Sequence, residues 1–318
     1  METMTLTTQH IWTWWIAAYL YFGGLGAATL SITFLTDMYC RSNPRLVMWG
    51  ALSGVVMLSL SSLVLFVHLL HHAAVIWVLI PAVFLLHPTS WIAWGTQFII
   101  WMMVWGLVYI LPCMRDCEGF MEFPIVGRLL RTAPIKWVSD MCVRWRRTVG
   151  WLATINGIGT AVYTGLLLQS FPAVALWHNP GVPLLFTISA FSTAFAYLLM
   201  VLYAGEPGEH DARLRHRYEL FDLILIAAEL VILFVFYNYL RSGSESGYRS
   251  AQLLWNSMGW VVGFIGFGLI VPFFLNLKGV VKGWNSSLPT IAASVLVLMG
   301  GYLLRHYFMS AGVYAYPW

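Results

Sequence analysis

Eight apolar runs, each close to the length that crosses a lipid bilayer, limit what this chain can fold into more than any other feature. They fall at about 12–37, 47–71, 90–112, 151–171, 183–204, 219–240, 257–276 and 289–311. A helix needs about 20 apolar residues to traverse the hydrocarbon core. Inside lipid every backbone N–H and C=O must find its partner within the protein, so runs of this length become helices and not open strands. Composition agrees, with 60% of residues hydrophobic and 9% charged, against about 25% charged in an ordinary soluble domain. The expected fold is all-α: a polytopic membrane protein of eight transmembrane helices, divided as two four-helix bundles over residues 1–171 and 172–318. An even number of spans puts both termini on one face.

Charge orients the spans. Of the 17 Lys and Arg residues, 14 fall in segments on one face, among them Arg41, Arg45, Arg115, Arg144, Arg146, Arg147, Arg213, Lys278 and Lys282. Arg241, Arg249 and Arg305 are the remainder. The positive-inside rule makes the first face cytoplasmic. Both termini are then expected outside the cytoplasmic (inner) membrane, in the periplasm of a Gram-negative cell. The pI of 8.9 is therefore a membrane signature and not a nucleic-acid one, and the net charge is only +4. The first ten residues contain no Lys or Arg, so the charged start of a cleavable signal is missing and the first span reads as permanent.

The 4 cysteines are Cys40, Cys113, Cys117 and Cys142. All fall in or beside the basic segments, where thiols stay reduced. A cubane cluster needs four thiolates, and these are scattered over three segments without a Cys-x-x-Cys pair. No iron–sulfur cluster is expected in this chain. Haem is not expected either. His68 and His72 share one helix face and cannot clamp an iron from opposite sides, while only His306, at the outer end of the last span, is placed to pair with one of them. A chain of this kind that handles electrons must exchange them with a partner.

Polar groups within a bilayer are costly and are functional candidates by default. At about 1.5 Å rise per residue, Tyr19 falls roughly 10 Å below the outer face, His68 roughly 5 Å, Gln97 roughly 10 Å and Tyr163 roughly 12 Å. One comes from each of the first four spans. His71 and His72 follow His68 by one turn, Trp91 and Trp94 flank Gln97, and Gly23, Gly24 and Gly26 follow Tyr19. Phenols, imidazoles and indoles at one shallow depth suit a quinone head. Its carbonyls need donors, its protons need a carrier that titrates near neutrality, and its ring packs on aromatics. An interfacial belt of Trp and Tyr with wetted histidines is the bland alternative. The uncharged segment 72–89 is too broken for a span and too apolar for a free loop. It is expected to lie on the outer surface beneath a partner.

A second polar set belongs to the later spans. Asp222 and Glu229 are seven residues apart and face nearly the same way, with Glu219 at the cytoplasmic rim. Glu229 falls roughly 15 Å deep and Arg305 roughly 9 Å nearer the outer face. Ser189, Ser192 and Thr193 of the fifth span are placed to bridge them. The set reads equally as a partial proton path or as a satisfied network tying helices together.

Several stretches also resemble a known family. Tyr19-Leu-Tyr-Phe-Gly-Gly-Leu-Gly-Ala, His87-Pro-Thr-Ser-Trp-Ile-Ala-Trp-Gly95, Tyr163-Thr-Gly-Leu-Leu-Leu and Gly300-Gly-Tyr-Leu-Leu-Arg305 are similar to the NrfD/PsrC family, with Ser189-Ala-Phe-Ser-Thr193 and Glu229 in support. The resemblance covers essentially the whole chain. It implies the membrane subunit of a polysulfide reductase-like or nitrite reductase-like complex, with two four-helix bundles and no redox cofactor of its own. Such a subunit exchanges electrons between menaquinone or another quinone and a ferredoxin-like iron–sulfur subunit, which serves a molybdopterin or multihaem cytochrome subunit. By this resemblance Tyr163 contacts the quinone, Tyr19 is a polar contact, and His68 matches a common histidine. Where many members carry Arg-Pro after that histidine, this chain has His71-His72.

The expectation is thus a quinol-oxidising subunit, with His68 and Tyr163 catalytic and Tyr19, Gly23, His68, His72, Trp91, Gln97 and Tyr163 holding the quinone. Asp222, Glu229 and Arg305 are the proton-path candidates, and no residue is assigned to a metal. Quinone reduction or proton translocation are the alternatives. A secondary transporter would want matched interrupted spans around a midplane site, and none is visible.

Overall fold

The computed structural model describes residues 5–40, 44–68, 89–204, 209–283 and 287–316. Within them eight helices are long and apolar enough to cross a membrane. In chain order, α1 is Trp14–Cys40, α2 Pro44–His68 and α3 Trp91–Asp116. Short helices α4 (Glu118–Glu122), α5 (Pro124–Leu130) and α6 (Ala133–Arg144) lead into α7, Arg146–Gln169. Then come α8 (Gly181–Tyr203), α9 (Glu209–Ser242), the short α10 (Glu245–Asn256), α11 (Gly259–Lys282) and α12 (Leu288–Ser310). The chain is a multi-pass membrane protein. Most helices overrun the apolar segments that mark them: α7 begins at Arg146, inside the basic run, and not at 151. Hydropathy reports where lipid ends, whereas the backbone ladder continues into the headgroup layer. Residues 69–88, with His71, His72, His87 and all but the last residue of segment 72–89, lie outside the described residues.

Both chain ends meet on one face, as an even span count requires. Strand β1 (Thr5–Thr8) pairs antiparallel with β2 (Val313–Tyr316), with Thr8 opposite Val313. Tyr314 also bridges Val174, and the Ala315 N–H donates to the Ala173 carbonyl at 3.1 Å. The connector between α7 and α8 therefore joins the same cap. Gln9, buried, ties it down: its amide donates to the Trp12 carbonyl at 2.8 Å and to the Met309 carbonyl. The Trp177 indole N–H donates to the Phe308 carbonyl at 2.7 Å. This strand pair is invisible to hydropathy, because eight residues of terminal sequence carry no span signal. We call this side the terminal face and the opposite side the basic face.

Helix α1 is the hub. It packs on α2, α7, α8 and α12, and 89% of its apolar window is buried inside the protein. Lipid chains are as apolar as leucine, so helices associate through close packing of small residues and not through the hydrophobic effect. Here a Cβ on Gly26 would lie 2.9 Å from the Gly54 carbonyl of α2, and one on Gly24 would lie 3.2 Å from both Ala190 of α8 and Arg305 of α12. The first half of α11, Gly259–Ile270, is wound as a π-helix. At about 4.4 residues per turn, Gly259, Gly263 and Gly268 fall on one face. They meet Tyr307, Leu303 and Gly300 of α12 in order. An α-helical winding would turn Gly268 away from that contact.

On the basic face a cluster not anticipated from sequence joins three spans. Asp37 of α1 accepts from the Tyr109 hydroxyl of α3, and from Arg146 of α7 at 2.8 Å (Nε) and 2.7 Å (Nη2). The guanidinium also lies 4.8 Å from the Tyr109 ring centroid. Asp37→Ala leaves Arg146 and the phenol unpaired. Removing one partner of a buried pair costs about 3–5 kcal/mol; Arg146 is one-third exposed, so the expected loss falls below that range. Thermal unfolding of the detergent-solubilised protein checks it, and an unchanged midpoint would refute the latch. Nearby, burial pushes the Cys142 thiol of α6 up to about 11.

Candidate functional site

Tyr19 and Tyr163 come together beneath the terminal face. Their hydroxyls are 3.1 Å apart, linking α1 to α7, and both rings are buried. Tyr163 reaches this position because α3 offers no side chain at Gly95. A Cβ there would lie 2.0–2.3 Å from the ring atoms, so the ring lies flat against the bare backbone of α3. The Ser61 hydroxyl of α2 donates to the Tyr19 carbonyl at 2.8 Å and fixes the level of α2 against α1. Four spans thus converge on one phenol pair.

The pair shares one hydrogen bond between two hydroxyls. One phenolic proton is used within it, and the other is left to donate elsewhere. A carbonyl oxygen approaching from the terminal face would meet a donor already oriented by its neighbour. Deep burial excludes competing water. The residues present therefore fit a quinone head, with one donor on offer and an aromatic wall beside a backbone without a side chain.

The other predicted residues distribute unevenly around this pair. Gly23 of α1 faces α2, where a Cβ would lie 3.0 Å from the Ser61 hydroxyl. His68 ends α2, seven residues beyond Ser61 on the same face and about 10 Å nearer the terminal face. It is half-buried. The Tyr19 side chain leans in that same direction, since helical side chains tilt toward the N-terminus. Among the described residues no hydrogen bond joins His68 to either phenol. Gln97 is buried and its amide nitrogen has no hydrogen-bond partner. It stands two residues from Gly95, about 200° around α3, so depth counting placed it at the right level while its direction is away from Tyr163. Trp91, 40% exposed, lies in the first turn of α3. Trp94 packs on Phe98 at 5.9 Å. His72 lies outside the described residues.

The second polar set is assembled across α8, α9, α11 and α12. Asp222 has both carboxylate oxygens engaged, one by the Ser192 hydroxyl at 2.6 Å and the other by the Asn276 amide at 2.7 Å. Glu219 accepts from the Thr290 hydroxyl at 3.0 Å. Arg305, fully buried, donates to the Gly301 carbonyl at 2.7 Å, to the Phe186 carbonyl at 3.3 Å and to the Ser189 hydroxyl at 3.4 Å. It lies 5.7 Å from the Tyr21 ring centroid and 5.2 Å from that of Phe186. Ser189 also neighbours Glu229. One Glu229 oxygen and the Arg305 Nε are buried without hydrogen-bond partners. Sequence reading placed Asp222, Glu229, Ser189 and Ser192 correctly in one neighbourhood. It missed Asn276 and Tyr21, although an Asn at the end of an apolar run was a usable signal.

Comparison with known proteins gives the family. The sequence profile of the family described as "Polysulphide reductase, NrfD" matches residues 3–317. The chain belongs to the NrfD family. Relatives include "Protein NrfD homolog" of Haemophilus influenzae, 23% identical over 96% of this chain and 95% of that protein. "Protein NrfD" of Escherichia coli is 24% identical over 95% of each. The C subunit of polysulfide reductase from Wolinella succinogenes is 25% identical, covering 95% of this chain and 94% of the relative. Membership accounts for the eight spans, and it places this chain among the membrane subunits of oxidoreductase complexes. Among the described residues no group of three or more His, Cys, Asp or Glu is arranged to hold a metal.

Proposed function

We propose that this chain is the quinol-oxidising membrane subunit of a respiratory oxidoreductase. It passes two electrons from menaquinol to an iron–sulfur subunit on the terminal face, which we take to be the periplasmic side. The observation that carries this reading is the buried Tyr19–Tyr163 hydroxyl pair, seated on Gly95 under that face. The likeness to a polysulfide reductase subunit supports it. A quinol releases two electrons and two protons on becoming a quinone. The phenol pair holds and orients the oxygen, and His68, nearer the terminal face, accepts the two protons one after the other and passes each outward. In this reading residues 1–171 form the bundle that carries the pocket, and residues 172–318 form the second. The terminal substrate is handled by a partner, with a molybdopterin or multihaem subunit as the class.

Quinone extracted from the purified complex, together with quinol-dependent reduction of its iron–sulfur partner, tests the assignment. Absence of both would refute it. A second reading is favoured by one specific observation, the buried row Glu219, Asp222, Glu229 and Arg305: the second bundle conducts protons. Proton uptake into sealed vesicles during turnover, lost in Asp222→Asn with quinone content unchanged, is the outcome that reading requires.

The orientation gives a separate prediction. A cysteine at position 3 (Thr3→Cys) should label with an impermeant maleimide from the periplasmic side of intact cells. Native Cys142 should not compete. Burial pushes its thiol up to about 11, so little of it is the reactive thiolate near neutrality. Labelling of position 3 only from the cytoplasmic side would reverse the topology and the side assigned to the iron–sulfur partner.

A further inference from the structure

A cavity of about 530 Å³ opens on the terminal face, lined by neither Tyr19 nor Tyr163, between the N-terminal segment, the connector before α11 and the end of α12. Its size falls within the range of about 300–1,000 Å³ usual for small-molecule sites. Trp12, Trp14 and Tyr307 supply aromatic wall, and Ser257, His306 and Ser310 supply hydrogen-bonding groups. Among the described residues that line it there is no Lys, Arg, Asp or Glu, and His10 and His306 are the ionisable side chains. An anionic headgroup or a phosphate would find no permanent counter-charge among these residues, so an uncharged ligand fits best.

Two walls are held in place before anything binds. Trp12 stacks on Trp177 at 5.2 Å and meets Phe171 edge-on at 4.7 Å. Tyr307 packs edge-on against Trp260 at 6.1 Å and against His306 at 5.3 Å. A site whose aromatic walls are already fixed loses little entropy on binding a flat ring. His306 adds direction. Its Nδ1 is buried with no hydrogen-bond partner. As a lining residue, its ring can meet a ligand as donor or acceptor, according to the tautomer. The rim is apolar, with Trp14 49% and Leu253 41% exposed, which leaves a route for a hydrocarbon tail into the bilayer.

We propose that this cavity is a second binding site, taking the uncharged, acceptor-bearing ring of a quinone-type amphiphile against His306 and the Trp12–Tyr307 walls. The choice of ring compound rests on the quinone reading above, while the cavity and its chemistry stand apart from the phenol pair. The probe is a photoreactive short-chain naphthoquinone, added to the purified complex after its own quinone has been removed, with labelled peptides mapped by mass spectrometry. Label is expected in residues 253–257 and 306–311 as well as around Tyr163. His306→Phe should lower the first at least five-fold and leave the second within two-fold. Leu253→Trp, which fills the cavity from its exposed wall and threatens folding less, should do the same. No label at the cavity in the wild type, or label there unchanged in both variants, would overturn the proposal. Label at the cavity with none near Tyr163 would sustain it and remove the phenol pocket instead.

Discussion

Gly95→Ala is expected to disable quinol turnover without deleting a single polar group. Its new methyl would fall 2.0–2.3 Å from Tyr163 ring atoms, far inside van der Waals contact, and α3 backbone cannot yield cheaply. The ring must leave, and the Tyr19–Tyr163 hydrogen bond goes with it. Tyr163→Phe makes the complementary change, keeping the ring and removing the hydroxyl. A lost hydrogen bond to a neutral group costs about 0.5–1.5 kcal/mol, and more when the partner stays buried and unpaired. That corresponds to several-fold slower turnover for Tyr163→Phe, and a larger loss for Gly95→Ala, where ring and hydroxyl are both displaced. His68→Ala should lower the rate further than Tyr163→Phe and alter its pH dependence, because it removes the proton acceptor of the proposed reaction. Quinol-dependent reduction of the iron–sulfur partner, with quinone content measured in parallel, reads all three. Wild-type rates and quinone content in both Gly95→Ala and Tyr163→Phe would place the pocket elsewhere and return the phenols to an interfacial belt.

The second large effect concerns Arg305. It is the largest charged side chain that the fold buries completely, and its neighbour Glu229 has an oxygen with no hydrogen-bond partner. Arg305→Leu strips three hydrogen bonds from α8 and α12 and removes a cation whose field reaches that carboxyl, although no salt bridge joins the two among the described residues. A hydrogen bond to a charged group is worth about 1.5–3 kcal/mol, so the loss of three makes this the most destabilising single change of the set. Glu229→Gln alone should cost less, because the amide keeps the volume and can still meet Ser189. If the two groups are a coupled pair, the double variant Glu229→Gln with Arg305→Leu should be more stable than the sum of the single losses predicts. Coupling between contacting residues runs about 0.5–3 kcal/mol. Thermal unfolding of the four proteins closes the cycle. Simple additivity would mean that Arg305 acts through the Phe186 and Gly301 carbonyls and not through Glu229, which would weaken the proton-path reading as well.

Fold class was legible in the sequence because it depends on local quantities. Span number follows from hydropathy, and the expected orientation from where Arg and Lys fall. Depth is equally local: a residue count from a span's end gives it, and Tyr19 and Tyr163 were matched in depth before any helix was placed. Rotation about each helix axis was not legible. Tyr163 and Gln97 have similar depth, yet one ring presses on Gly95 while the amide points to the far side of the same helix. Only the packing of α3 against α7 decides that, and packing depends on which small residues on two distant segments meet. The same holds for Asp37, which joined Tyr109 and Arg146 from segments 72 and 109 residues away. It holds for Asn276, which closed the second oxygen of Asp222 across 54 residues. A single span carries the cost of a buried polar group in its own sequence, but the group that relieves that cost lies on another helix. The terminal cap, the π-winding of α11 and the His306 cavity are of this kind. Each arises where two segments meet, and neither segment encodes it alone.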